Sequence, residues 1–596
     1  LILRMFRKIK ELISIHWLII IVAIIIGFVV IRPNLEAISG IGFNNFKGIY
    51  PILTDDEEYY FARTHEALEG HRGMGNVFLK EHKNKPFMAP PLAENFFAGI
   101  AELFHISIPA LFAWCDFILP LIGVILLYAM FYSMTASKKI ALGSALFFYL
   151  IFIREAGRAI NQQFTFLFLF IGLWLIWKIY ISDFNKKALK YHFWFSVVFS
   201  VLFYIYPHFW TPLIALYGIS MLFKTILNKQ WKGAMQGLGV FLISFILFCS
   251  YYFYNLFLAL KDPAYLETAR RMGLIDTHWP GAFYNTFPVV CALILAVFAR
   301  KMIINKTKLY FIYLVLGTGL LINWQNLITG KYVFFSVHYL QPSYLFVIIA
   351  LGILLSEIKF SKQQNKKYIA KHFFIIIGAI FIISMLFYKS FDGIKLVFTL
   401  KTPPECMLEL QDEIKIFDWF NANAQKDAVV YFLGKGDFGS NLPIYTDVNL
   451  YYGGLPTSFL VSDKEIIDRW LRQNLFNNEI NEEYLKNKNK TYTLLANRFI
   501  DSYQNKIVRR KIVRFFTGYN LSEPELVPQW YTDMLLQSYQ EVKKVSVEKA
   551  LKKYEIDYVL LDRKFEDNKK IEIELKKEKF LEPIKEFADI LIYKVN

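Results

Sequence analysis

Cysteine is nearly missing from this chain. The four that occur, Cys115, Cys249, Cys291 and Cys406, lie far apart, and three of them fall in apolar runs. That excludes a disulfide framework and any paired-cysteine metal site. Internal repeats are lacking as well. A glycine-rich phosphate loop is present only in outline, as Gly434-Lys435-Gly436-Asp437-Phe438-Gly439. It follows a strand-like run at 428–433, but Pro443 stands where a helix should open, so a nucleotide site is not expected there. Acidic residues are outnumbered 50 to 67 by Lys and Arg, giving a net charge of +17. In a soluble chain that balance would suggest nucleic acid. Here the basic residues collect between apolar runs that carry almost no charge, and a nucleic-acid partner is not expected.

What is abundant is apolar. Of 596 residues, 55% are hydrophobic and 18% aromatic, with a mean hydropathy of +0.34. A soluble core stops growing at about 250–300 residues and does not need so much. Uninterrupted apolar runs of about 18 residues read as transmembrane helices. They are expected at 17–31, 109–134, 140–153, 163–181, 192–206, 209–227, 236–258, 282–299, 309–323, 338–355 and 373–388, about eleven spans in all. The first follows Arg4, Arg7, Lys8 and Lys10, and no small-residue cleavage site comes after it, so it reads as a retained anchor. Residues 91–105 carry Glu94 and Glu102 and read as an interfacial or partly buried helix.

Short loops fix the orientation, because cytoplasmic loops collect Lys and Arg. One alternating set holds Lys138 and Lys139, Lys186 to Lys190, Lys224 to Lys232, Arg300 to Lys308 and Lys359 to Lys371. The opposite set holds only Arg154, Arg158, Lys261, Arg270, Arg271 and Lys331. The expected topology is that of an integral plasma-membrane protein, bacterial or archaeal. Its N-terminus is cytoplasmic, while the loop 34–108 and everything after Tyr388 are extracytoplasmic. Residues 1–390 form the membrane domain. In 391–596 apolar runs shorten, and strand-like stretches (428–433, 558–561, 590–595) alternate with helical ones (408–421, 462–475, 547–554), which predicts a separate α/β domain.

Directly after the first span comes Thr54-Asp55-Asp56-Glu57-Glu58-Tyr59-Tyr60-Phe61-Ala62-Arg63. On a helix Asp56 and Tyr60 are neighbours, as are Tyr59 and Arg63. Two readings of the carboxylates stay open at residue level. They are either a solvated helix start favoured by the helix dipole, or a base whose partial burial under the membrane surface raises its basicity. Asp56, Asp55 and Glu57 are the candidates for that base, with Tyr60 beside it.

Other polar groups cluster outside. Arg154 and Arg158, spaced i, i+4, would present two guanidiniums suited to a phosphodiester. Gln162 and Gln163 read as polar lining. His208 interrupts two apolar runs, Arg270 and Arg271 lie in the loop 261–281, and Lys331 and His338 bracket a span entrance together with Gln341.

The pattern Asp56-Glu57-x-x-Tyr60, followed by Pro86, Pro90-Pro91-Leu92 and Phe104-His105-Ile106-Ser107, resembles the GT-C superfamily of membrane glycosyltransferases. It is most similar to the branch of protein O-mannosyltransferases and lipid A aminoarabinose transferases. The resemblance implies a catalytic acid at Asp56 in an external, membrane-level cavity. It also implies a sugar carried on a polyprenyl phosphate, an acceptor that is a glycan, lipid or protein, and contact with membrane lipids. Donor-phosphate contacts then fall to Arg154, Arg158, Arg270, Arg271, Lys331 and His338, and the substrate cavity to Tyr60, Lys85 and His208. Two departures stand out. Ala89 replaces the usual Lys before the Pro-Pro-Leu, with Lys83 and Lys85 nearby, and Asp55 is an extra acid. No cofactor is expected. The alternative is a divalent metal on Glu155, as in metal-dependent oligosaccharyltransferase relatives. Two rival functions remain at this stage: a transporter or flippase of lipid-linked glycans, and a membrane assembly protein with an external binding domain.

Overall fold

The fold is seen in a computed structural model, which describes residues 2–596 apart from 54–55, 184–185, 280–282, 358–365, 435–437, 454–457, 488–489 and 565. Every apolar run singled out above is helical. Among the described residues, seven helices are long and apolar enough to cross a bilayer: His16–Ile41, Ile108–Thr135, Ala159–Ile181, Pro207–Leu227, Trp231–Phe248, Lys306–Trp324 and Val337–Glu357. Phe373–Tyr388 with Ser390–Thr399, bent by 45°, makes an eighth if taken as one span. The chain is an integral membrane protein. Three further expected runs are also helical, as Lys138–Ile151 of 14 residues, Lys186–Phe203 of 18 and Phe283–Ala299 of 17. The run at 236–258 is divided. Trp231–Phe248 ends at Cys249, and a second helix, Ser250–Lys261, starts there.

Four helices position the site. They are α1 (Ile2–Ile41), α2 (Glu57–Leu68), α3 (Leu92–Phe104) and α4 (Ile108–Thr135). Helices α1 and α4 pack along their length and are joined inside by Asn34 Nδ2 donating to Asp116 Oδ2 at 3.1 Å. Asp116 is 1% exposed, a charge-capable group within a span that the sequence reading passed over. α3 is the helix expected at 91–105. Its Glu94 turns inward to an ion pair with Arg63 of α2, while Glu102 reaches Arg72 on the exposed side at 3.2 Å.

The C-terminal region contains a five-stranded sheet built from β3 (Val429–Leu433), β4 (Asn449–Leu450), β5 (Tyr558–Asp562), β6 (Leu581–Phe587) and β7 (Ile590–Val595), in the order β4-β3-β5-β7-β6. The pairs β4/β3 and β3/β5 are parallel; β5/β7 and β7/β6 are antiparallel. A small antiparallel pair, β1 (Leu274–Asp276) with β2 (Lys331–Val333), joins two of the loops between helices. β3 and β5 read as continuous apolar runs because both faces are covered. β4 and β6 escaped the sequence reading, one being two residues long and the other broken by Pro583 and three charged residues. A helix, Phe438–Tyr445, does open after β3, contrary to expectation. Pro443 inside it cannot donate the backbone bond back to Gly439, a loss confined to one bond in an eight-residue helix.

Loop 34–108 and the C-terminal region share one apolar core, in which Phe61, Phe78 and Phe97 join Phe417, Trp470 and Leu535. Polar contacts stitch the same seam. Gln411 receives Lys47 N and donates to Ile49 O, both at 2.8 Å, and Leu450 N donates to Phe78 O at 3.1 Å. Glu81 and His82 reach Arg469 and Glu465. Gly75 lies where the loop doubles back, its N–H on Lys83 O at 3.2 Å. A Cβ there would overlap the backbone oxygens of Lys83 and Lys85. Gly75→Ala is therefore expected to destabilise the outer layer by about 1–3 kcal/mol, read as a lower unfolding temperature of the detergent-solubilised protein. An unchanged temperature would mean the loop shifts freely.

Candidate functional site

The site starts with the N-terminus of α2. Asp56 precedes the helix and Tyr60 N–H donates to its carbonyl at 3.4 Å, which places the two side chains one turn apart. Facing them is the segment that enters the span Ala159–Ile181. Arg158 is extended (φ −114°, ψ 95°), and Ala159–Phe164 is wound as a wide π turn in which Gln162 N and Gln163 N both reach Arg158 O at 3.2 Å. Single π turns inserted in α-helices recur at functional sites. Here the widening turns Arg158, Asn161 and Gln162 toward α2 and toward the helix starting near Val337.

Three contacts follow. Arg158 Nη2 donates to Asp56 Oδ2 at 3.1 Å, the arginine 17% and the aspartate 49% exposed. Asn161 Nδ2 donates to Tyr60 Oη at 2.9 Å. Gln162 Nε2 and His338 Nδ1 are 3.1 Å apart, and Gln341 Nε2 donates to Gln162 Oε1 at 2.9 Å. His338 lies within electrostatic range of Arg158, and its ring centroid is 5.4 Å from that of His208. Burial and the Asp56 charge together push the Tyr60 phenol above its ordinary range, so it stays protonated. Several buried polar atoms around this group have no hydrogen-bond partner, namely both nitrogens of His208, both amide atoms of Gln163, Asn161 Oδ1 and Gln341 Oε1. Buried polar groups are normally satisfied, so this concentration suits a polar ligand.

Asp56, Tyr60, Arg158, His208 and His338 are thus brought to one place at one end of the helices. The other expected residues lie elsewhere. Arg154 is exposed beside Gly393, and a 3-10 turn, Ile153–Gly157, followed by extended Arg158 undoes the i, i+4 pairing expected of the two arginines. Arg271 is buried and spent on Asp463, Thr268 Oγ1 and the carbonyls of Phe459 and Val461, where it ties the 261–281 loop to the C-terminal region. Arg270 points outward on the same helix. Lys331 pairs with Asp276 across the β1/β2 rung, and Lys85 pairs with Asp262 at 2.9 Å. Lys83 is buried between Glu66 and Asp427. Glu57 is buried, and its Oε2 accepts from Leu53 N at 2.8 Å. Asp55 and the side chain of Glu155 lie outside the described residues. Asn161 was missed, although three consecutive amides (Asn161-Gln162-Gln163) opening an apolar helix were the visible signal.

Among the described residues, the groups able to hold a metal are His65/Glu69/Asp447 and Glu66/Glu69/His71. Both draw on the other end of α2 and the residues just after it, and the first adds Asp447 from the turn before β4.

No protein-family profile matches the chain, and no curated protein does. Solved structures do. ArnT from Cupriavidus metallidurans in the apo state aligns over 78% of this chain and 91% of that one, at 13% identity and TM-score 0.45. The same protein bound to undecaprenyl phosphate aligns over 98% of both, at 10% identity and TM-score 0.46. The arabinofuranosyltransferase AftD from Mycobacteria gives TM-score 0.50 at 11% identity, over 98% of this chain and 40% of that one. The chain has a GT-C-like fold.

Proposed function

We propose that the protein is a glycosyltransferase that moves a sugar from a polyprenyl-phosphate donor to an acceptor hydroxyl on the extracytoplasmic face, with inversion. The observation that carries this is the Asp56–Arg158 pair at the outer mouth of the bundle, bordered by His338, His208 and unsatisfied amides. A carboxylate beside a guanidinium supplies both halves of the chemistry. The fold is one that a protein named for arabinofuranosyl transfer also uses. The outward orientation rests on the lysines and arginines of the opposite loops.

In this scheme the donor phosphate takes the Arg158 fork through paired N–H···O bonds, and Asp56 is released from the pair. The acceptor oxygen attacks the anomeric carbon from the face opposite the phosphate. The anomeric C–O bond to phosphate breaks, its electron pair stays on the phosphate oxygen, and the hydroxyl proton passes to Asp56. Arg158, with His338 and the Gln163 amide, offers fixed donors to the charge growing on the leaving phosphate. Tyr60, held protonated, hydrogen-bonds rather than ionises.

The test is transfer by the reconstituted full-length protein, offered labelled polyprenyl-phosphate sugars together with envelope glycans, lipids and proteins. Label should move to one acceptor class with stoichiometric release of polyprenyl phosphate. A protein that binds such donors but never releases the phosphate is not a transferase.

A further inference from the structure

A second cluster lies at the far end of α2, independent of the transferase reading. His65 Nε2 is 3.2 Å from Glu69 Oε1 and 3.3 Å from Asp447 Oδ1, and the three ligand atoms all fall within 4.8 Å of one another. His65 and Glu69 are one helical turn apart, at the end of α2 and just past it. Asp447 comes from the turn before β4, so the cluster bridges the external loop and the C-terminal region.

From these positions we infer a divalent-cation site of the zinc type, with His65, Glu69 and Asp447 as ligands and a solvent position open.

Three observations support it. Metal–ligand bonds of about 2.0–2.2 Å in tetrahedral geometry separate ligand atoms by roughly 3.3–3.6 Å, close to the 3.2 and 3.3 Å edges found here. A single Nε2–H can point at one oxygen only, yet two carboxylates converge on this nitrogen almost equally. Second, the Glu69 side chain is only 8% exposed, and its Oε2 is buried without a hydrogen-bond partner. An unsatisfied buried carboxylate oxygen is costly, and a bound cation removes that cost. Third, the neighbouring acids already have their cation. Lys83 Nζ lies between Glu66 and Asp427, and His71 Nδ1 is on Glu66 at 2.9 Å. Among the described residues no lysine or arginine side chain pairs with Glu69 or Asp447; the nearby Lys426 ammonium is spent on the Glu69 carbonyl at 2.7 Å. Asp447 is half exposed, which leaves an entry path. One imidazole and two carboxylates form a donor set that zinc accepts and that alkaline-earth ions, preferring all-oxygen shells, do not favour. The ion would clamp α2 to the C-terminal region.

The experiment uses the full-length protein in detergent, stripped of metal and dialysed against micromolar Zn²⁺. Metal content by mass spectrometry should approach one zinc per chain, and the unfolding temperature should rise with zinc and fall back with chelator. In His65→Gln and Asp447→Asn, affinity should weaken by ~100-fold or more. Zinc content unchanged in both variants would place the ion elsewhere and overturn the assignment. So would the absence of bound zinc in the unaltered protein. Should either variant fail to fold, X-ray absorption on the unaltered protein decides the matter. One imidazole nitrogen with oxygen neighbours is expected, and a sulfur-containing shell, as from exposed Cys406, refutes the site.

Discussion

Asp56→Asn should lower sugar transfer by about 10³-fold while leaving the fold intact, because asparagine keeps the shape and loses the proton acceptor. The stability cost should stay within ~1 kcal/mol, since Asp56 is half exposed and its pair with Arg158 is partly solvated. Asp56→Glu, which retains a carboxylate displaced by one methylene, should recover part of the rate. Arg158→Ala should cost ~10²–10³-fold through loss of charge stabilisation at the leaving phosphate. Arg158→Lys should recover little of that, because the bidentate fork is gone. The discriminating variant is the swap, Asp56→Arg with Arg158→Asp. An ion pair that only holds structure tolerates exchange of its ends, whereas a base and a phosphate clamp do not. Labelled-sugar transfer and the unfolding temperature should therefore separate in every one of these variants. If the swap transfers at the native rate, the pair is scaffold and the base lies elsewhere.

How far the sequence reveals this site depends on whether a residue's partners are local. The helical runs were legible because apolar length alone specifies them, and what the sequence hides is where a helix stops. The helix Lys138–Ile151 closes at Phe152, and the break at Cys249 has no proline or glycine to mark it. Asp56 and Tyr60 were legible because both sit on one turn. Tyr59 and Arg63, expected as i, i+4 neighbours, do touch, the arginine donating to the phenol at 3.2 Å. The convergence of Arg158 on that turn and of His338 on Gln162 was expected only through resemblance, because each joins segments about a hundred residues apart or more. Arg271 shows the opposite limit. In sequence it is one of two adjacent arginines in a polar loop and reads as a phosphate ligand. Its burial depends on Asp463 and on the carbonyls of Phe459 and Val461, which nothing near residue 271 announces. Equally invisible were the 3-10 turn at Ile153–Gly157 and the extended Arg158 after it, which turn the spacing of Arg154 and Arg158 into one arginine at the site and one outside.

Arg63→Ala should destabilise the protein by about 3–5 kcal/mol, the largest stability effect expected of any single change in the outer layer. The guanidinium is 1% exposed and the Glu94 carboxylate 4%. Arg63 also donates to the Ala89 carbonyl at 3.1 Å and to Tyr59, whose ring centroid is 5.2 Å from the guanidinium carbon. Burial opposes the charge on Arg63, but Glu94 more than offsets it and holds the arginine charged. Removing the arginine strands a buried carboxylate and frees α2 from α3 and from the Pro90-Pro91 entry to it. Glu94→Gln should cost less, because the amide oxygen still accepts a hydrogen bond. Taking both charges out, Arg63→Met with Glu94→Leu, should return most of the loss, since buried ion pairs replaced by apolar residues of similar volume are often neutral in stability. Thermal unfolding of the detergent-solubilised variants reads all three. Asp56 and Arg63 stand two turns apart on one helix, so Arg63→Ala should lower transfer as well, but only in step with the folded fraction. Asp56→Asn should lower it with the folded fraction unchanged. If Arg63→Ala leaves the unfolding temperature where it was, the Arg63–Glu94 pair is not what holds α2 in register, and the positioning of Asp56 must come instead from the seam with the C-terminal region.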